Sequence, residues 1–195
     1  MKVFGPFIMP DEHAAVIGRI AEGWAQLEFQ IDRGIWTLLR TEHQFAACVT
    51  AQLSSVHFRM KAFIALVELH GGSEATLVCL RRFSGNVLSS LQERRNRAVH
   101  DPRARDKGSA LVHRLELTAK PKIKFGFEPE PLDDLSDLHK EIYTAVSDFS
   151  TLRDAAIAEI EALPAESRPK LLSIIEMREA PANPPGESPT PPSRS

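Results

Sequence analysis

Between Glu93 and Arg103 the chain reads Glu-Arg-Arg-Asn-Arg-Ala-Val-His-Asp-Pro-Arg, so that arginines, an asparagine and a histidine fall within a few residues of one another. Arginine presents a permanently charged planar fork that fits phosphate oxygens. Histidine titrates near neutrality and can take a proton and give one back in a single reaction. Asparagine can hold either partner. The chemistry these types share is that of a phosphoryl group.

Pro102 disfavours helical geometry at Asp101, which predicts that a helix arriving from the N-terminal side stops there with His100 in its last turn. The apolar stripe leading in runs through Leu77, Leu80, Val87 and Leu91 and on to position 95, so Arg95 falls where a core residue belongs. A guanidinium in that place is costly unless something pairs it. On an ideal helix Arg95 and His100 point about 140° apart, whereas Asn96 and His100 share a face. Two readings of these residues stand side by side. Arg95 pairs inside the fold with Glu28 or Asp32 while His100 answers the helix macrodipole, or the three residues form a site.

The elements that must carry this stretch are helical. A helix is predicted from Asp11, read as the N-cap, to about Thr41, with Ile17, Ile20, Trp24, Leu27, Ile31, Ile35 and Leu38 stepping by three and four. Glu28 and Asp32 lie on the border of that stripe. A second helix is predicted from about Phe45 to His70, its core face running Val49, Leu53, Val56, Met60, Phe63, Ile64 and Val67. Gly71 and Gly72 end it, and Ser73 caps a third helix that runs to His100. After Gly108 the period changes to two. Leu111, His113, Leu115 and Leu117 alternate with polar neighbours, as do Ile123, Phe125 and Phe127, which predicts a two-stranded β-hairpin at about 109–128. Pro129 and Pro131 close it. A fourth long helix then runs from Leu132 to about Leu163, with Asp133 and Asp134 in its first turn and Leu135, Leu138, Ile142, Val146, Phe149, Leu152, Ile157 and Ile160 as its stripe.

The fold class expected is therefore all-α: an antiparallel bundle of four long helices with a small inserted β-hairpin and a Pro-rich C-terminal tail. The single domain spans 1–163. Eight of the fourteen prolines lie between Pro164 and Pro192, so 164–195 reads as a tail with one short helical stretch at 168–178 and too little apolar surface to order itself beyond 180.

Composition bounds the function. Cys48 and Cys79 match no metal-ligand spacing and are too few for a disulfide framework, and they read as reduced thiols. No metal site and no cofactor are expected. The N-terminus is not shaped like a signal peptide, and no apolar run approaches the ~18 residues of a membrane span. The chain reads as soluble and cytoplasmic, with no membrane partner. Residues 1–127 hold 18 Lys and Arg against 12 Asp and Glu, whereas 128–195 hold 6 against 14, so the net charge of -2 conceals a basic half. Arg94, Arg97, Arg103 and Arg105 surround the motif and suit a polyanion.

The run Arg95-Asn96-Arg97-Ala98-Val99-His100, an arginine followed by a polar residue and then histidine after a spacer of four, placed at the end of a bundle helix, resembles the motif of the HEPN superfamily. The resemblance covers about residues 11–163. It implies a homodimer whose two motifs face each other across a cleft and cleave RNA without a metal ion. Carried over by residue, His100 acts on the ribose 2′-hydroxyl or protonates the leaving oxygen, Arg95 stabilises charge on the phosphorus, and Asn96 supports them. Arg94, Arg97, Arg103 and Arg105 attract RNA, and Glu28 and Asp32 orient Arg95. A dimer also relieves the 140° problem, because the second copy brings its own groups. A toxin or defence role is in keeping with the resemblance, with an antitoxin or another protein as partner. The tyrosine that some members carry just beyond the histidine is replaced here by Asp101, Pro102 and Arg103, and that regulation is not carried over. The alternative is a HEPN-like module that binds nucleic acid or protein without catalysis.

Overall fold

The computed structural model describes residues 9–105, 111–118 and 124–164. The tail at 164–195, with the short helix expected at 168–178, lies outside the described residues beyond Pro164, as do the start and the turn of the expected hairpin. Helix α1 runs Asp11–Leu39 and packs along α6, Leu132–Ala162. Their facing stripes make the centre of the core: Ile20, Leu27 and Ile31 from α1 against Ile142, Phe149 and Ile160 from α6 are all 1% exposed or less. These stripes keep the three-and-four spacing of the sequence. The start of α1 differs in detail. Pro10, extended at φ -62 and ψ 144, is the N-cap, and Asp11 is the first helical residue.

The helix expected from Phe45 to His70 is two helices, α2 (His43–Thr50) and α3 (Val56–Leu69). Ser55 sits in extended geometry and its hydroxyl accepts from the Phe58 amide at 3.3 Å, so a new helix starts there. Val49, expected in the core, is 53% exposed, because the break frees α2 from the register of α3. Val56, Met60, Phe63 and Val67 are buried as the periodicity requires.

The helix expected from Ser73 to His100 holds its ends but not its interior geometry. Helix α4 (Glu74–Arg82) passes into a π-helical stretch, Phe83–Leu88, and then into α5 (Ser89–His100). Phe83 and Leu88 are both buried although five α-helical residues would set them about 140° apart. The wider π turn brings both onto one side. It also re-phases α5 relative to α4. The buried stripe runs Leu77, Leu80, Phe83, Leu88, Leu91 and Ala98, and Arg95 lies half-buried at its border rather than on it.

Where two strands were expected there are three, in the order β1 (Arg103–Arg105), β2 (Val112–Thr118), β3 (Lys124–Pro129), all antiparallel. Arg103 pairs with Arg114, Ala104 with His113, and Leu115 with Phe127. The extra strand exists because Pro102 ends α5 into extended backbone at once, and the Pro102 carbonyl accepts from the Leu115 amide at 2.8 Å. The protein is thus mostly helical with a small antiparallel sheet. Of its helices α1 and α6 run long and unbroken, whereas the others are segmented. Among the described residues no helix is long and apolar enough to cross a membrane.

Candidate functional site

Helix α5 packs against both α1 and α6, and Arg97 ties it to the sheet through Glu116. Its polar residues divide accordingly. Toward α6, Arg94 grips Glu141 through both guanidinium nitrogens, with Nη2 donating to Oε1 at 2.9 Å. The hydrogen bond to Glu141 raises the Arg94 pKa above its ordinary value against the opposing effect of burial. Toward the sheet, Arg97 donates to Glu116 at 3.0 Å and to Glu93, one turn back, at 2.9 Å. Burial works against the charged form of Arg97, and those two carboxylates outweigh it.

Arg103 leads the sheet away from α5 and is the most deeply held, its side chain 2% exposed. Its Nε and Nη2 donate to the two oxygens of Glu130 at 2.5 and 3.1 Å, and its Nη1 donates to the Asp101 carbonyl at 2.9 Å. Arg114 completes this knot, with Nη1 on Asp101 Oδ2 at 2.9 Å and Nε 3.4 Å from Glu130 Oε1. Arg94, Arg97 and Arg114 line a cavity of about 390 Å³ together with Glu130, Asp134 and Glu141. Of the four arginines expected to attract RNA, three are neutralised by carboxylates of the fold. Arg105 is exposed, and its side chain makes no hydrogen bond or ion pair among the described residues.

The flank toward α1 is different. Arg95 is half-buried, its Nη1 donates to Asn96 Oδ1 at 3.1 Å, and its Cζ lies 5.7 Å from the centroid of the Trp24 ring. Among the described residues it has no carboxylate partner. The pairing of Arg95 with Glu28 or Asp32, one of the two readings of the sequence, does not occur. Glu28 accepts instead from Trp24 Nε1 at 3.1 Å, and Asp32 pairs with Arg59 of α3. Burial raises the Asp32 pKa above its ordinary value, only partly offset by the Arg59 charge. The structure therefore brings Arg95 beside Asn96 and over Trp24, whose indole Glu28 holds, and it sets Asp32 apart.

His100 is the last residue of α5 and is exposed, with no hydrogen-bond partner among the described residues. Asp101 turns extended at ψ 134, as the proline after it requires. The helix closes without unwinding, its last turn sealed by the Asp101 amide on the Arg97 carbonyl at 3.1 Å, so within one chain Arg95 and His100 keep their divergent directions.

Several residues that shape this region were not singled out in the sequence. Trp24 carries Arg95, and Glu116, Glu130 and Glu141 occupy the neighbouring arginines. Only the Glu93–Arg97 pair has a local signature, the four-residue spacing of a helix. Comparisons with protein-family models, with curated proteins and with solved structures find no match to this chain.

Proposed function

We propose that the chain is a HEPN-like helical module that cleaves RNA by attack of the ribose 2′-hydroxyl, with Arg95, His100 and Asn96 as its working residues and a homodimer as its active form. The observation that carries this reading is the contrast along α5. Arg94 and Arg97 are each tied to carboxylates, whereas Arg95 keeps its charge and His100 faces solvent at the helix end. A guanidinium without a carboxylate partner among the described residues is suited to phosphate oxygens.

In the reaction, His100 of one copy takes the 2′-hydroxyl proton as the oxygen attacks phosphorus. The bond to the 5′-oxygen breaks, and the leaving oxygen receives a proton from the histidine of the other copy. The products are a 2′,3′-cyclic phosphate and a 5′-hydroxyl. Arg95 holds the non-bridging oxygens as their charge grows, and Asn96 steadies the guanidinium through its Oδ1. Each copy supplies one His100, so the base and the acid come from the two protomers.

A second reading, a non-catalytic binding module, is favoured by the cavity on the α6 flank. Its arginines are matched by Glu116, Glu130 and Glu141, and Asp134 adds a carboxylate with no ion pair among the described residues, so the lining offers no unpaired positive charge to a polyanion and suits a protein segment better. Incubating the purified protein with RNA in excess chelator, beside His100→Ala and Arg95→Ala variants, separates the two. Cleavage that both substitutions abolish is the result expected. No cleavage by the unaltered protein, or equal cleavage by His100→Ala, overturns the nuclease reading and leaves the second.

A further inference from the structure

Trp24 is 3% exposed, too deeply set to stack a nucleobase. Its indole N–H donates to Glu28 Oε1, one helical turn along α1, which fixes the orientation of the ring. Over that ring lies the Arg95 guanidinium. A cation over an indole face is drawn to the ring quadrupole, and the attraction grows as water is excluded. Among the described residues the buried Arg95 Nε has no hydrogen-bond partner, and the aromatic ring 5.7 Å from Cζ is the compensating contact of this guanidinium.

The physical distinction is between two ways of holding an arginine. A carboxylate that grips a guanidinium also cancels its charge, as Glu141, Glu116 and Glu130 do for Arg94, Arg97 and Arg103. An indole grips it and leaves the charge in place. We infer that Trp24, oriented by Glu28, is the positioning residue that fixes Arg95 while leaving its positive charge available to a phosphate group. This rests on the reading of Arg95 as the residue that meets the scissile phosphate. Asn96 secures a second edge of the same guanidinium, so the fork is held from the ring side and from the α5 side.

The test uses the full chain with Trp36→Phe, which leaves Trp24 as the sole tryptophan. Inorganic phosphate is titrated while the near-ultraviolet circular dichroism and fluorescence of Trp24 are monitored. A saturable change that Arg95→Ala abolishes and His100→Ala retains is expected. No change, or the same change in Arg95→Ala, overturns the inference. On RNA, Trp24→Leu is expected to lower kcat by about 2- to 30-fold, Trp24→Phe to recover most of it, and Trp24→Leu with Arg95→Ala to be no slower than Arg95→Ala alone. Rates are read below the melting temperature of each variant. Multiplicative losses in the double variant overturn the inference even where both residues matter. Should the protein cleave no RNA, the nuclease reading fails, and the phosphate titration alone decides whether Trp24 holds Arg95 as an anion receptor.

Discussion

Arg103 and Glu130 form a buried two-pronged ion pair that ties the strand leaving the motif to the loop entering α6, with the Arg103 side chain 2% and the Glu130 side chain 10% exposed. An arginine so placed serves the fold, and its removal should not read as lost RNA affinity. Glu130→Ala is expected to destabilise by about 3–5 kcal/mol, since it leaves the buried Arg103 without its carboxylate, and Arg103→Ala by less, because Glu130 keeps Arg114. The double substitution Arg103→Met with Glu130→Leu should restore much of that stability. Chemical denaturation of the three variants measures it, and single substitutions that leave the midpoint unchanged would show the pair to be dispensable.

The same distinction predicts how salt acts on RNA binding. Each phosphate neutralised contributes about -0.7 to the slope of log K against log salt for a single strand. Arg105→Ala is expected to flatten that slope by about one contact, because no carboxylate among the described residues holds the Arg105 side chain. Arg94→Ala and Arg97→Ala should change it less, since Glu141 and Glu116 already hold their charge. Filter binding at several salt concentrations checks this, and equal losses for all three would mean that the ion pairs open on RNA.

Removal of His100 should separate chemistry from stability. An exposed residue with no partner among the described residues is expected to contribute within about 0.5 kcal/mol to folding, whereas loss of a general acid or base slows a reaction by about 10²- to 10⁴-fold. His100→Ala is therefore expected to keep its melting temperature and lose its turnover. A variant that melts markedly earlier would assign His100 a structural role.

These contrasts explain which parts of the molecule are written locally in the chain. The stripes of α1 and α6 are legible because one unbroken period of 3.6 governs about thirty residues each, and Pro102 fixes the end of α5 by sterics that depend on its immediate neighbours. The π stretch at Phe83–Leu88 is not legible in the same way. It answers the demand of a core that needs Leu80, Phe83, Leu88 and Leu91 all inward, and one turn of altered pitch moves Arg95 from the stripe to its border. The ion pairs are harder still. Glu141 meets Arg94 across 47 residues and Glu130 meets Arg103 across 27, so apart from the local Glu93–Arg97 pair the neutralisation of the basic run is a property of the packing.

Asp32 should impose a pH dependence of its own on stability. Burial raises its folded pKa above the ordinary 3.8, and Arg59 only partly opposes this. A raised folded pKa means that the native state binds the proton more tightly. The proton-linked stabilisation is therefore complete below the unfolded value and is lost as pH rises through the folded one. Asp32→Asn removes that term, so the difference in stability between this variant and the unaltered protein should shift in the variant's favour as pH rises through the window just above 3.8. Denaturation at closely spaced pH values measures it, and a constant difference across the window would place the carboxylate in a better solvated site than the structure gives it.

Glu159 acts in the opposite sense. From α6 it accepts the Ser73 amide at 2.6 Å and the Thr76 hydroxyl at 2.5 Å, and so caps the first turn of α4 from outside that helix. The Thr76 hydroxyl, and after it Ser73, lowers its pKa below the ordinary 4.5. A depressed folded pKa contributes stability that is present above the unfolded value and lost as pH falls through the folded one. Protonation thus loosens the start of α4 from α6, and with it the helical run that ends in Arg95 and His100. Glu159→Gln keeps one acceptor and cannot titrate, so it should start less stable near neutrality and lose less on acidification below about 4.5, the two curves converging in acid. Amide hydrogen exchange at Leu77, whose N–H bonds the Ser73 carbonyl at 3.0 Å in the first turn of α4, should rise in the unaltered protein over the same interval after correction for intrinsic rates. Curves that stay parallel through the acid range would assign the acid sensitivity of this junction to other carboxylates.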